Sequence, residues 1–107
     1  MFKNLEKLLN RKKIDPKQII SLIATYYKYR EGEDSSAYEL YFICNVEAKK
    51  SNTSKKLYVE ITTTRPSVLI GEYGNNIDDL TNYLNRFKYK FKVDKIIIIV
   101  KEINIFV

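Results

Sequence analysis

Gly71-Glu72-Tyr73-Gly74 places two glycines where the main chain could approach a ligand, although taken alone it reads simply as a turn between two helices. Two glycines three positions apart permit a sharp link and let the main chain approach a ligand without Cβ hindrance. A helix that follows such a link aims its first amides at negative charge. The other patterned segment is Arg86-Phe87-Lys88-Tyr89-Lys90-Phe91-Lys92, in which cations alternate with aromatics. Extended, it would set four cations on one side and three rings on the other, a form that can track a phosphate backbone and stack on bases. The same alternation equally describes a strand entry with a solvated basic face and rings in the core.

Other chemistries are poorly supplied. Histidine is absent, which removes His-based acid–base catalysis, His metal ligation and Ser-His-Asp or Cys-His nucleophiles. The single cysteine, Cys44, cannot form an internal disulfide; its apolar run YFIC predicts an inert buried thiol. No catalytic residue, metal or cofactor is expected.

The formal net charge is +6 over 107 residues, which favours an anionic partner. Residues 1–30 hold eight cations against two carboxylates, and residues 31–48 hold five carboxylates and no cation. Lysines follow at 49, 50, 55 and 56, where a solvated loop is the plain reading. Residues 60–85 set Arg65 against Glu60, Glu72, Asp78 and Asp79. With 45% hydrophobic residues the chain can bury a core, and its length is that of one domain. The longest apolar run, Ile96 to Val100, has the length of a strand rather than of a bilayer span. The charged N-terminus lacks an apolar signal core, so the expectation is a cytoplasmic protein with no membrane partner.

The elements that must position these residues are legible in part. Residues 1–13 are expected to form a short basic helix with Phe2, Leu5, Leu8 and Leu9 on one face. Asp15-Pro16-Lys17-Gln18 reads as a helix start, with Asp15 as cap and Pro16 at the first position. Ile19, Ile20, Ile23, Tyr26, Tyr27 and the stem of Arg30 then recur at helical spacing, and Gly32 with the acidic stretch Glu31–Asp34 ends the helix. Residues 37–48 and Leu57–Thr64 read as paired strands around a polar loop, Lys49–Lys56. Pro66 stops the second strand. Val68, Leu69 and Ile70 make a helical turn. After the glycine link, Asn75 or Asn76 caps a further helix whose Ile77, Leu80, Leu84 and Phe87 share a face. Residues 93–106 form a last strand, parallel to the one before it because a crossover joins them.

The stretch from Tyr58 to Leu84 resembles the type II KH domain, most closely that of the small-subunit ribosomal protein S3 family. The resemblance rests on a strand followed by Arg65-Pro66, the apolar turn Val68-Leu69-Ile70-Gly71, two variable residues, Gly74, then Ile77 and Leu80. The element order over residues 15–106 agrees. It implies an α+β fold, helix–strand–strand–helix–helix–strand, with a three-stranded mixed sheet and helices on one face. The domain would be 15–107, and 1–14 a basic N-terminal helical extension. It further implies an RNA-binding module clamping about four nucleotides of single strand, with single-stranded DNA as a second ligand class. Arg65, Ile70, Gly71, Glu72, Tyr73, Gly74, Asn75, Asn76 and Ile77 would border the groove, and Arg86, Lys88, Lys90 and Lys92 would lie in the variable loop beside it. Assembly into a larger ribonucleoprotein would raise effective concentration. Many binding members carry Lys or Arg where this chain has Glu72 and Tyr73; a carboxylate beside a phosphate costs on the order of 1 kcal/mol. The alternative is therefore a KH fold serving as a protein-interaction subunit through tyrosines such as Tyr38, Tyr41 and Tyr58.

Overall fold

Alternating burial along β3, Lys56–Thr63, marks it as the central strand: Leu57, Val59, Ile61 and Thr63 are buried on one face. The computed structural model describes residues 11–31, 38–51 and 53–103. Among them, β1 is Arg11–Ile14, α1 Lys17–Glu31, β2 Ile43–Ser51, α2 Pro66–Ile70, α3 Asn75–Asn85 and β4 Lys95–Glu102. Short 3-10 turns cover Tyr38–Phe42, Glu72–Gly74 and Lys88–Phe91. The architecture is α+β, with a four-stranded mixed sheet in the order β1-β2-β3-β4. The first two pairings are antiparallel, and β3 runs parallel to β4, as a crossover through α2 and α3 requires.

Helices cover one face. Ile19, Ile23 and Tyr27 of α1, Leu69 of α2, and Leu80 and Leu84 of α3 bury against Val46, Ala48, Leu57, Val59, Ile61 and Ile96. Each such large aliphatic side chain contributes about 1.5–3 kcal/mol of transfer free energy. Ile20, placed on the α1 core face by its spacing, is instead 44% exposed, because the buried stripe follows 19, 23 and 27. At the start of α1, Lys17 N–H donates to Asp15 Oδ1 at 3.0 Å and Ile20 N–H to the Pro16 carbonyl at 2.8 Å.

Several expectations are corrected. The sheet has four strands, not three, since Arg11–Ile14 pairs with Ala48–Ser51 instead of extending a helix through residue 13. The edge of β2 offers unpaired amides and carbonyls to this segment, and a lysine-rich outer strand then protects the new edge. Phe2, Leu5, Leu8 and Leu9 lie outside the described residues, as do Gly32 to Asp34. β2 begins at Ile43, after a 3-10 turn, and runs on to Ser51. Lys49 and Lys50 are therefore strand residues. The hairpin closes tightly because the Ser51 hydroxyl accepts from Ser54 Oγ at 2.9 Å. Cys44 is exposed, not buried: Ile43 pairs with Thr63 and Asn45 with Thr62, so Cys44 is the extra residue of a bulge and escapes the core.

Candidate nucleic-acid interface

Pro66 starts α2 just after Arg65, whose own N–H donates to Thr63 Oγ1 at 3.1 Å and whose guanidinium lies 5.4 Å from the Phe42 ring centroid. Five residues later the chain must reverse into α3, and the glycines do this in two different ways. Gly71 has φ 76° and ψ 177°, a conformation open essentially only to glycine. A Cβ there would stand 2.5 Å from Asn76 Cγ. Gly74 has φ 76° and ψ 10°, the left-handed helical region, and a Cβ on it would meet nothing within 4 Å. Between them Tyr73 also takes a left-handed conformation, φ 56° and ψ 22°, and its side chain is 92% exposed.

The turn holds donors that have no partner among the described residues. Gly71 N–H donates to the Ser67 carbonyl, Gly74 N–H to that of Gly71 and Asn75 N–H to that of Glu72. The N–H groups of Glu72 and Tyr73 make no hydrogen bond among the described residues. Neither Glu72 nor Asp78, both exposed, folds back on these amides. The helix cap is Gly74, with no side-chain hydrogen bond; Asn75 and Asn76, expected as caps, are instead the first two residues of α3.

Asn76 has a different task. Its Oδ1 accepts from Arg30 Nη2 at 2.6 Å, and its Nδ2 approaches the Val68 carbonyl at 3.5 Å. One amide thus ties the last turn of α1 to α2 and α3, and it occupies the space that a side chain at Gly71 would need. Arg30 follows the helical spacing of α1, but that spacing says nothing of its bond to Asn76, 46 positions away. It lies 6.0 Å from the Tyr26 ring centroid. Burial raises the Tyr26 hydroxyl above its usual pKa, with Arg30 opposing, so the phenol stays neutral. Ile70 is 37% exposed beside the turn, and Ile77 is half-buried against the core.

Arg86, Lys88, Lys90 and Lys92 stand elsewhere. They follow the C-terminus of α3, whose eleven residues separate them from Gly74 by about 16 Å at 1.5 Å per residue. Asp94 N–H donates to the Lys55 carbonyl at 2.7 Å, which fixes this end beside the β2–β3 hairpin. The segment is not extended. Lys88–Phe91 is a 3-10 turn that buries Phe91, half-buries Phe87 and leaves Tyr89 69% exposed. A cleft of about 310 Å³ lined by Gln18, Ser21, Leu22, Thr25, Lys90 and Phe91 lies at this far end and contains no residue of the glycine turn. Of the tyrosines considered for a protein contact, Tyr41 is 74% exposed. Tyr58 is half-buried with the Arg11 guanidinium 3.9 Å from its ring centroid, and the side chain of Tyr38 lies outside those described.

Among the described residues no helix is long and apolar enough to cross a membrane, and no cluster of His, Cys, Asp or Glu could hold a metal. No protein-family model matches the chain, and no curated protein matches it.

Proposed function

We propose that this protein is a non-catalytic module of the type II KH kind that grips single-stranded RNA at the turn between α2 and α3. One observation carries the reading: an exposed glycine-rich link whose Glu72 and Tyr73 amides have no partner among the described residues, leading directly into an eleven-residue helix. Amides so arranged can donate to a phosphate, and the helix dipole favours its charge. Arg30, held at Asn76, supplies a cation beside the turn, while Ile70 and the exposed ring of Tyr73 offer surfaces for bases. The antiparallel β2–β3 pair with β4 parallel to β3 supports the KH comparison, and β1 is an addition to it. The lysines of 86–92 belong to the opposite end of α3 and form no wall of this groove.

The test is titration of a short single-stranded RNA by fluorescence anisotropy at several salt concentrations. Gly74→Asp suits the clamp variant, because aspartate tolerates the left-handed region and no atom obstructs it, yet its carboxylate would face the phosphate. Loss of binding in Gly74→Asp and a gain in Glu72→Lys, with the salt slope steepened by about 0.7, are expected. Unchanged affinity in both variants would rule out the turn as the grip.

A further inference from the structure

The register of the sheet gathers cations on the face turned away from α1, α2 and α3. Positions alternating with the buried set bring Arg11 and Lys13 of β1, Lys49 of β2, Lys56 of β3, and Lys95 and Lys101 of β4 to that one face. Direct contacts agree with the alternation. Arg11 lies over Tyr58 at 3.9 Å, and Lys49 and Lys101 each reach Glu60 at 2.7 Å. Lys13 and Lys49 approach Glu47 at 3.5 and 3.8 Å. Among the described residues, six cations therefore face two carboxylates, and both carboxylates are already paired. Strands about 4.8 Å apart spread this charge over roughly 14 Å, and Lys95 to Lys101 spans about 20 Å along β4.

The chemistry distinguishes the partner. A protein interface has a desolvated core depleted of charge, whereas the centre of this face is Glu60 bound by two lysines, and the Tyr58 ring is capped by the Arg11 guanidinium. The apolar members, Ile97 and Ile99, are half-buried. Lys13 and Lys101 keep 69% and 53% of their side chains accessible. A surface with an excess of solvated cations and, among the described residues, no exposed ring fits a phosphate backbone, which is bound by counterion release rather than by apolar burial.

We infer that this face, turned away from α1, α2 and α3, is a second phosphate-backbone contact, taking the polynucleotide beyond the stretch held at the glycine turn. The inference rests on the nucleic-acid reading above but uses none of its residues. The test compares single-stranded RNAs of about six and about twenty nucleotides, the shorter little more than the roughly four a KH turn grips. The proteins are wild type, Gly74→Asp, and a triple variant, Lys13→Gln, Lys56→Gln and Lys95→Gln, which spares the Glu60 pairs; circular dichroism checks the fold of each.

For the longer RNA, the triple variant should flatten the dependence of log K on log salt by about 2, from three contacts at about 0.7 each. Its affinity for the shorter RNA should be that of wild type. An unchanged slope on the longer RNA overturns the inference, and if Gly74→Asp still loses the shorter RNA the turn reading survives alone. A flattened slope with an intact Gly74→Asp response leaves the face and removes the turn. A polyglutamate peptide bound as tightly as RNA, or no RNA binding by wild type, overturns the assignment of the face to nucleic acid.

Discussion

Replacing each turn glycine by alanine separates two roles that the motif makes look alike. At Gly71 an alanine must hold φ 76° and ψ 177°, which costs about 1–3 kcal/mol for a residue with a Cβ. Its methyl would also sit 2.5 Å from Asn76 Cγ, so the Asn76 amide must move and release Arg30. Losing that hydrogen bond, which involves a charged donor, adds about 1.5 kcal/mol. Gly71→Ala should therefore destabilise the fold by about 2.5–4.5 kcal/mol, a large part of the roughly 5–15 kcal/mol available to a domain. At Gly74 the backbone is left-handed helical and the space is empty, so Gly74→Ala should cost only about 1 kcal/mol. Urea denaturation followed by circular dichroism measures both, and with about 4–8 °C of melting shift per kcal/mol a thermal scan separates them. Equal losses, or a milder effect at Gly71, would refute the packing of Asn76 over the turn.

Two further outcomes follow from the sheet. The Glu60 carboxyl is held below its usual pKa of 4.5 by Lys101, then by Lys49, against desolvation. A depressed folded value means that the stabilisation is complete above the unfolded pKa and is lost as pH falls through the folded one. Glu60→Gln should thus weaken the fold by about 1 kcal/mol at neutral pH, and the gap to wild type should close in acid; a gap independent of pH would show that the ion pairs contribute nothing. Asn85 acts as a false strand residue: its Nδ2 donates to the Ile96 carbonyl at 2.9 Å and to the Thr81 carbonyl at 2.8 Å, and its Oδ1 accepts from Ile96 N–H at 2.9 Å. Asn85→Ala should cost about 2–3 kcal/mol and speed amide exchange at Ile96 in NMR. Unaltered exchange there would show that Asn85 does not hold the start of β4.

Residues 15–103 disclosed much of their local structure in one dimension. Spacing of 19, 23 and 27 announced α1, and Leu80 and Leu84 announced α3. The alternation of Leu57, Val59 and Ile61 announced β3, and two glycines around Glu72-Tyr73 announced the link. These signals are local, because periods of 3.6 and 2 are imposed by backbone geometry on whichever face is buried. The separation of Lys88–Lys92 from the turn was also within reach, since an eleven-residue helix has a known length.

What folding alone decided is which groups meet across the sequence. Nothing in Arg11-Lys12-Lys13-Ile14 favours a strand; it becomes one because β2 has an open edge to satisfy. Cys44 left the core through a bulge, which shifts register by one residue and so reverses the face of a side chain. Asn76 and Arg30, Asn85 and Ile96, and Glu60 between Lys49 and Lys101 are pairings of polar groups, and polar groups carry no periodicity. Their partners are chosen only when packed helices and aligned strands bring a donor within about 3 Å of an acceptor.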